Sequence, residues 1–416
     1  MKKILLLGVG AQGSTVAQRL DEEPGVSEIV CADYDEKAAA SLAGTLKKAR
    51  GVKVDGSKTE EIVKIAKGEG FDLMVNALPL RFGKQILEAA IESKVNYQDF
   101  AAPTNIIDGP YSIDNWIKGV RIMYDDYGKR FAEIGRTALT ATGSAPGLIC
   151  VVARRAVREL DTCDTIRMMV YEGAEAKRFL PFWWSPADAL HDMSQNGLAY
   201  INGGFVQTQA FEDPVTKRFY GPDGPVLTMY EHQHDEPIHM GINAENFFKG
   251  AKNIYFKYGG VGMTFARPLY RAGLLSKKET TVNGVKIIPF NFILKHLPAP
   301  PKSREEVKEI MDEGLAADVG AFGVEAYGVK DGKNVIVDAQ LSAPGFAESF
   351  ERAGLTAEAY LTGQGGFAFT KMFVEDKFTQ KGLISSDMLT DGQVDYYLDC
   401  VAKFNMTLSV EVREDE

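Results

Sequence analysis

A chain of 416 residues has room for two or three domains with full cores. With 45% hydrophobic and 25% charged residues it has the balance of a folded globular protein and excludes a disordered or fibrous one. Its 47 Lys and Arg against 57 Asp and Glu give a net charge of −10, which repels phosphate backbones and anionic membranes, so neither nucleic acid nor membrane is expected as a partner.

Residues 3–7 are a continuous apolar run that predicts a strand buried on both faces. The basic, apolar start breaks at Gly8 without a cleavage site, so it reads as a first strand and not as a signal peptide. A helix is expected over 14–20, a strand over 28–32, a helix over 35–48 and a strand over 52–54. Further helices are expected over 59–67 and 84–93, with strands at 72–76 and 95–97. A helix at 125–134 and a strand at 137–142 complete this alternation, which predicts an α/β fold with an N-terminal Rossmann doubly wound parallel sheet. A helix over 148–160 leads into a β-rich stretch with hairpin signals at Gly203-Gly204, Asn283-Gly284 and Asp331-Gly332. A second α+β domain on a mostly antiparallel sheet is expected there. Ser303 and Glu306 form a capping box for a helix reaching about residue 315. Two more helices are expected at 356–363 and 367–376. The expected division is a nucleotide-binding domain over 1–143, completed by C-terminal helices over about 350–416, and a substrate-binding and dimerisation domain over 144–349.

Gly8, Gly10 and Gly13 form G-x-G-x-x-G, with Ala11 and Gln12 inside the turn, directly between strand and helix. In that context the glycines allow the turn, the approach of pyrophosphate and close helix packing, and the phosphates sit at a helix N-terminus. Asp33, followed by Tyr34, closes the next strand about 20 residues on, where a carboxylate accepts ribose hydroxyls and repels a 2′-phosphate. NAD is therefore expected over NADP, with Asp35 only a helix cap. Asn76, Ala77 and Leu78 follow the fourth strand at the edge where ligands of open sheets gather, and Tyr97 and Asp99 end the fifth. A core tyrosine with a capping acid is an equal reading of that last pair. Thr142–Gly147 is a tight loop that either presents backbone donors to a substrate carboxylate or merely turns the chain.

His232, His234 and His239 lie beside Glu231, Asp235 and Glu236, but the spacing matches no standard zinc pattern. No metal is expected, and the segment reads as a polar loop over a cleft. Trp183-Trp184 reads as a packing anchor. The four scattered cysteines (Cys31, Cys150, Cys163, Cys400) suggest neither a zinc site nor disulfides, and a cytoplasmic setting is expected.

In their order, Gly8–Gly13, Ala32-Asp33-Tyr34-Asp35, Val75-Asn76-Ala77-Leu78, the segment 89–92 leading to Asp99, and Ala145-Pro146-Gly147-Leu148 resemble the saccharopine dehydrogenase family, and within it the bacterial lysine 6-dehydrogenases. Trp184-Ser185-Pro186, residues 254–259 and Tyr360-Leu361-Thr362-Gly363 match more loosely. The resemblance implies an NAD(P)-dependent oxidoreductase that oxidises a C–N bond of an amino acid or reduces the corresponding imine, built as a homodimer. Glutamate-forming saccharopine reductases carry Asp where this chain has Ala145, and a Cys near Tyr171-Glu172-Gly173, which points to a substrate other than saccharopine.

The reaction expected is oxidative deamination of lysine or a related amine. The amine must lose a proton before it gives up hydride, and Asp99, Tyr97 and Glu172 are the candidate bases, Asp99 first. Pro146 and Gly147, His239 and Arg267 are candidates to hold the substrate carboxylate. Imine reduction to saccharopine or to a carboxylated polyamine remains an alternative. So does a catalytically silent NAD sensor.

Overall fold

The computed structural model describes residues 1–109 and 112–415. Two compact units emerge: residues 1–154 with 361–404, and residues 155–360 with 405–416.

The first unit is built on a seven-stranded parallel sheet. Its order is Gly382–Ser385, Thr137–Thr140, Asn96–Asp99, Leu73–Asn76, Lys2–Leu7, Val26–Asp33 and Ala49–Lys53. The first strand lies inside the sheet, with strands on both sides, and Ile4, Leu5, Leu6 and Leu7 are fully buried, as an apolar run covered on both faces must be. Chain order reverses between Lys2–Leu7 and Leu73–Asn76, which makes their carboxyl ends the switch point where open α/β sheets bind ligands. Asp35 caps the helix Glu36–Gly44, its carboxylate accepting from the N–H groups of Lys37 and Ala38.

The two helices expected near the C-terminus are one, Ala357–Val374. Its internal glycines serve packing and not termination: a Cβ on Gly363 would lie 2.8 Å from Thr15, and one on Gly366 would lie 2.2 Å from the Phe100 ring. Close approach outweighs the roughly 1 kcal/mol that a mid-helix glycine costs.

The second unit carries a mixed sheet whose main path runs Gly204–Thr208, Gly197–Ile201, Asn253–Gly260, Thr162–Glu172, Gly320–Lys330, Lys333–Ser342 and Thr407–Glu414. Thr162–Glu172 and Asn253–Gly260 pair in parallel; the other pairs on this path are antiparallel. All three glycine-marked hairpins form, and so does the Ser303–Glu306 capping box.

The expected C-terminal boundary requires correction at both ends. The helix Phe346–Ala353 belongs to the second unit, because Phe346 is buried in a cluster with Trp183, Val307 and Ile310. The final strand Thr407–Glu414 also belongs there, zipped antiparallel onto Lys333–Ser342 from Val335↔Glu414 to Ser342↔Thr407. Only 361–404 of the C-terminal stretch completes the nucleotide-binding unit.

Candidate active site and cofactor cradle

Gly8 has φ +95°, a conformation that disfavours any side chain, and a Cβ there would meet the Ala77 carbonyl oxygen at 2.7 Å. A Cβ on Gly13 would lie 2.0 Å from the Gly8 carbonyl oxygen, so the helix Ala11–Glu22 can start this close to the strand only on glycine. At Gly10 the same direction is open, with no atom within 4 Å. Crowding at the first and third glycines and free space at the second is the cradle a pyrophosphate needs. Ala11 is exposed and Gln12 partly so at the helix start.

Asp33 is tied to this turn: Val9 N–H donates to its Oδ2 at 2.9 Å and Asp35 N–H to its Oδ1 at 3.0 Å. Each oxygen retains acceptor capacity for a ribose hydroxyl. Tyr34 beside it is 70% exposed, with the Lys53 ammonium 5.5 Å from its ring centre. Across the switch point, Ala77 and Leu78 are partly exposed, and Asn76 Oδ1 fixes the turn by accepting from Leu78 N–H. These residues fit a dinucleotide: Gly8, Gly10 and Gly13 would lie at its phosphates and Asp33 at its adenosine ribose.

Beneath that edge lies a closed polar network. Asn76 Nδ2 donates to the Tyr97 hydroxyl at 3.1 Å, and the Tyr97 hydroxyl donates to Asp99 Oδ2 at 2.9 Å. Thr140 Oγ1 and Ala141 N–H donate to Asp99 Oδ1 at 2.8 and 2.9 Å. Asp99 is 1% exposed and Tyr97 0%. Burial pushes the Asp99 carboxyl up to about 7, with the hydrogen bonds from Thr140, Ala141 and Tyr97 pulling the other way. Its two oxygens are occupied within the sheet.

Pro146 and Gly147 are buried. The N–H groups after them are spent inside the loop, Leu148 on the Gly143 carbonyl at 2.9 Å and Ile149 on the Ser144 carbonyl at 3.0 Å. The loop turns the chain on Gly147, at φ +134°, where a Cβ would strike Gly143.

The second unit holds a different cluster. Glu172, at the carboxyl end of Thr162–Glu172, is partly exposed and accepts hydrogen bonds from the Tyr258 hydroxyl and from Trp184. Burial raises its pKa, offset in part by these donors and by nearby His234. The tryptophans divide their work: Trp183 is the packing anchor, its indole N–H on the Ala174 carbonyl at 2.7 Å, whereas Trp184 serves Glu172.

The His234 imidazole stacks on Phe256 at 4.2 Å and pairs through Nδ1 with Glu236. Although burial opposes its charge, the facing Glu236 and Asp235 carry it up to about 9. His232 is buried against Tyr258, ring centres 4.9 Å apart, and burial drives its pKa well down. His239 is 1% exposed inside the helix Glu236–Ile242. Glu231 belongs elsewhere, paired at 2.6 Å with the buried Lys257. Arg267 lies over the Tyr230 ring at 4.6 Å, and its Nε is buried without a hydrogen-bond partner among the described residues.

Thus the structure gathers Gly8, Gly10, Gly13, Asp33, Asn76, Ala77 and Leu78 at one edge, and Glu172 with the His232–Glu236 segment in another cluster. Sequence reasoning missed Tyr258 and Asp192. Each is an ordinary residue in its own stretch of chain, and neither lies in a recognisable spacing with Glu172 or His234.

A glycine-rich strand–turn–helix with an acid on the next strand defines a dinucleotide-binding fold. Residues 4–139 match the family model described as saccharopine dehydrogenase NADP binding domain. Among relatives, the carboxynorspermidine synthase of Vibrio alginolyticus is 24% identical over 404 residues, covering 93% of this chain and 92% of that one. The carboxyaminopropylagmatine dehydrogenase of Synechocystis is 23% identical over 399 residues, covering 92% of each. In fold, the chain is similar to apo saccharopine dehydrogenase (L-Glu forming) from Saccharomyces cerevisiae, with TM-score 0.65, 14% identity, and 99% and 100% of the two chains covered. Over residues 4–139 the chain is thus similar to the nucleotide-binding domain of saccharopine dehydrogenases, and along nearly its whole length to the two relatives named above.

No helix among the described residues is long and apolar enough to cross a membrane.

Proposed function

We propose that this oxidoreductase acts on the C–N bond of an amino acid or amine, interconverting CH–NH and C=N with transfer of a hydride and a proton. The bound nicotinamide supplies the hydride exchange. The observation that carries the reading is Glu172, a partly exposed carboxyl whose proton affinity is raised by burial and which Tyr258 and Trp184 hold in one orientation. Such a group takes the amine proton in one direction and returns it to the imine nitrogen in the other. Asp99 and Tyr97, enclosed in their own network, act as positioning residues for the Asn76 edge. Arg267, with its unspent Nε donor, holds a substrate carboxylate.

For the substrate, the names of the two relatives favour a carboxylated amine and the reductive direction, which was the alternative to lysine oxidation. Absorbance of the nicotinamide decides between them. Oxidation of L-lysine with NAD would support deamination; oxidation of the reduced cofactor only when an amine and a carbonyl-bearing amino acid are both present would support the reductive joining. No turnover in either direction across a broad panel, with cofactor still bound, would overturn the enzymatic reading and leave a sensor.

For the cofactor we propose NAD, on the free acceptor capacity of Asp33. The opposite reading, NADP, has the description of the family model and Lys53 beside Tyr34 in its favour. A ratio of kcat/KM for the two cofactors separates them. We further propose a cytoplasmic homodimer. In support, all four cysteines are free and buried, and among the described residues the strand Thr407–Glu414 has a paired neighbour on one side only. Light scattering on the purified chain tests the dimer.

A further inference from the structure

Beside Glu172, the second unit buries more negative charge than it pairs. Asp235 and Glu236 are 6% and 0% exposed, yet among the described residues neither has a Lys or Arg within ion-pairing distance; the groups that face them are His234 and, 3.9 Å from Asp235, His239. Glu236 Oε2 takes the hydrogen bond from His234 Nδ1, while Oε1 is buried with no hydrogen-bond partner among the described residues. A carboxylate oxygen removed from water without a donor is costly, and buried charges are normally paired or coordinate a metal. Asp192 adds a third carboxylate to the field around His234 and Asp235.

We propose that His234, Asp235 and Glu236 bind one divalent transition-metal ion. Their donor atoms all lie within 4.8 Å of one another, so closing by a few tenths of an ångström brings them around a single ion at bond lengths of about 2.0–2.2 Å. One imidazole with two carboxylates suits zinc, manganese or iron, whereas calcium and magnesium favour oxygen-only sets. The imidazole is already oriented by its stack on Phe256, 14° from coplanar, so little order is lost on binding. The ion satisfies the unpartnered Glu236 oxygen and clamps the start of the helix Glu236–Ile242, where two of the three ligands sit at Asp235 and Glu236. The three residues are consecutive, which is why no ligand spacing of the familiar kind announces them in the sequence.

The test is calorimetric titration of the full chain, freed of any polyhistidine tag and stripped with chelator, first with Zn²⁺ and then with Mn²⁺. The expected result is saturable binding of one ion per chain at micromolar concentration or tighter, with a raised Tm. Glu236→Gln and His234→Asn should each weaken binding at least about tenfold, since even partners outside the ligand set are worth 10–100-fold. In Co²⁺-loaded protein, ligand-field absorbance should appear, and it should vanish in the same variants. Absence of saturable binding to the unmutated chain overturns the proposal, and that measurement needs no variant to fold. Equal binding by well-folded Glu236→Gln also overturns it, as does loss of amine affinity but not of metal affinity in that variant, which would give the cluster to a substrate ammonium. Turnover by the stripped chain is independent of these outcomes and leaves the oxidoreductase reading to its own test.

Discussion

The carboxyls around Asp99 in the first unit and around Glu172 in the second both have raised proton affinity, and they are finished differently. Around Asp99 every acceptor is met from within the sheet, by Tyr97, Thr140 and Ala141, and no face is left for a ligand. Around Glu172 and His234 the hydrogen bonds stop short: Glu172 is partly exposed and Glu236 keeps an unpartnered oxygen. A perturbed pKa by itself therefore does not mark the working group. Open valence together with perturbation does, because only an unfilled donor or acceptor can exchange a proton or bind a ligand.

The largest test of that contrast is the pair Glu172→Gln and Asp99→Asn. Loss of a positioned acid–base group costs about 10²–10⁴ in kcat, so Glu172→Gln should fall by that range while cofactor binding, read by fluorescence of the reduced nicotinamide, stays unchanged. Asp99→Asn should keep turnover within about tenfold of the parent. The reverse ranking would break the comparison.

Next in size are the glycines. Gly13→Ala must push a Cβ into the Gly8 carbonyl at 2.0 Å and should lower Tm and abolish cofactor binding together. Gly10→Ala meets nothing in the protein, so its Tm should be unchanged while cofactor affinity drops. Equal effects of the two on Tm would show that the turn is not shaped around a ligand.

Asp99 also makes a pH prediction. Its carboxyl titrates near 7 when folded and near its ordinary value when unfolded, so between about pH 4 and 7 the unfolded chain binds fewer protons. The stabilising contribution of neutral Asp99 is present below pH 4, declines as pH rises through that window, and is gone above 7. Each tenfold difference in proton affinity is worth about 1.4 kcal/mol. Denaturant unfolding of Asp99→Asn across this range should show a flatter profile than the parent, and an unchanged slope would exclude the buried acid as its source.

The smallest expected effect sharpens the other side. The Tyr258 hydroxyl favours the charged form of Glu172, so Tyr258→Phe should raise the Glu172 pKa further. The limb of the kcat/KM profile that reports this group should move to higher pH, with kcat changed by about tenfold or less.

Local chemistry made much of this legible. The glycine turn, the strand before it and the strand that ends at Asp33 read correctly because they are contiguous, and their shape depends on backbone geometry that sequence spacing encodes. The Asp35 cap, the three hairpins and the Ser303–Glu306 capping box read correctly for the same reason. The long helix Ala357–Val374 did not, because its glycines break helices on propensity and are tolerated only when Thr15 and Phe100 press close. The assignment of Thr407–Glu414 failed similarly, since its pairing with Lys333–Ser342 spans about 70 residues of chain and leaves no local trace.

By itself, then, the sequence determined the alternation that makes a parallel sheet and the glycine turn after its first strand, both of them properties of neighbouring residues and their order. Only the tertiary structure decided which acids are available. Asp99 and Glu172 are both acids at the carboxyl ends of strands. What separates them is that Thr140 and Ala141 close over one, while Trp184 and Tyr258 hold the other half open, and a group's solvation and unfilled hydrogen-bond capacity are set by residues far from it in the chain.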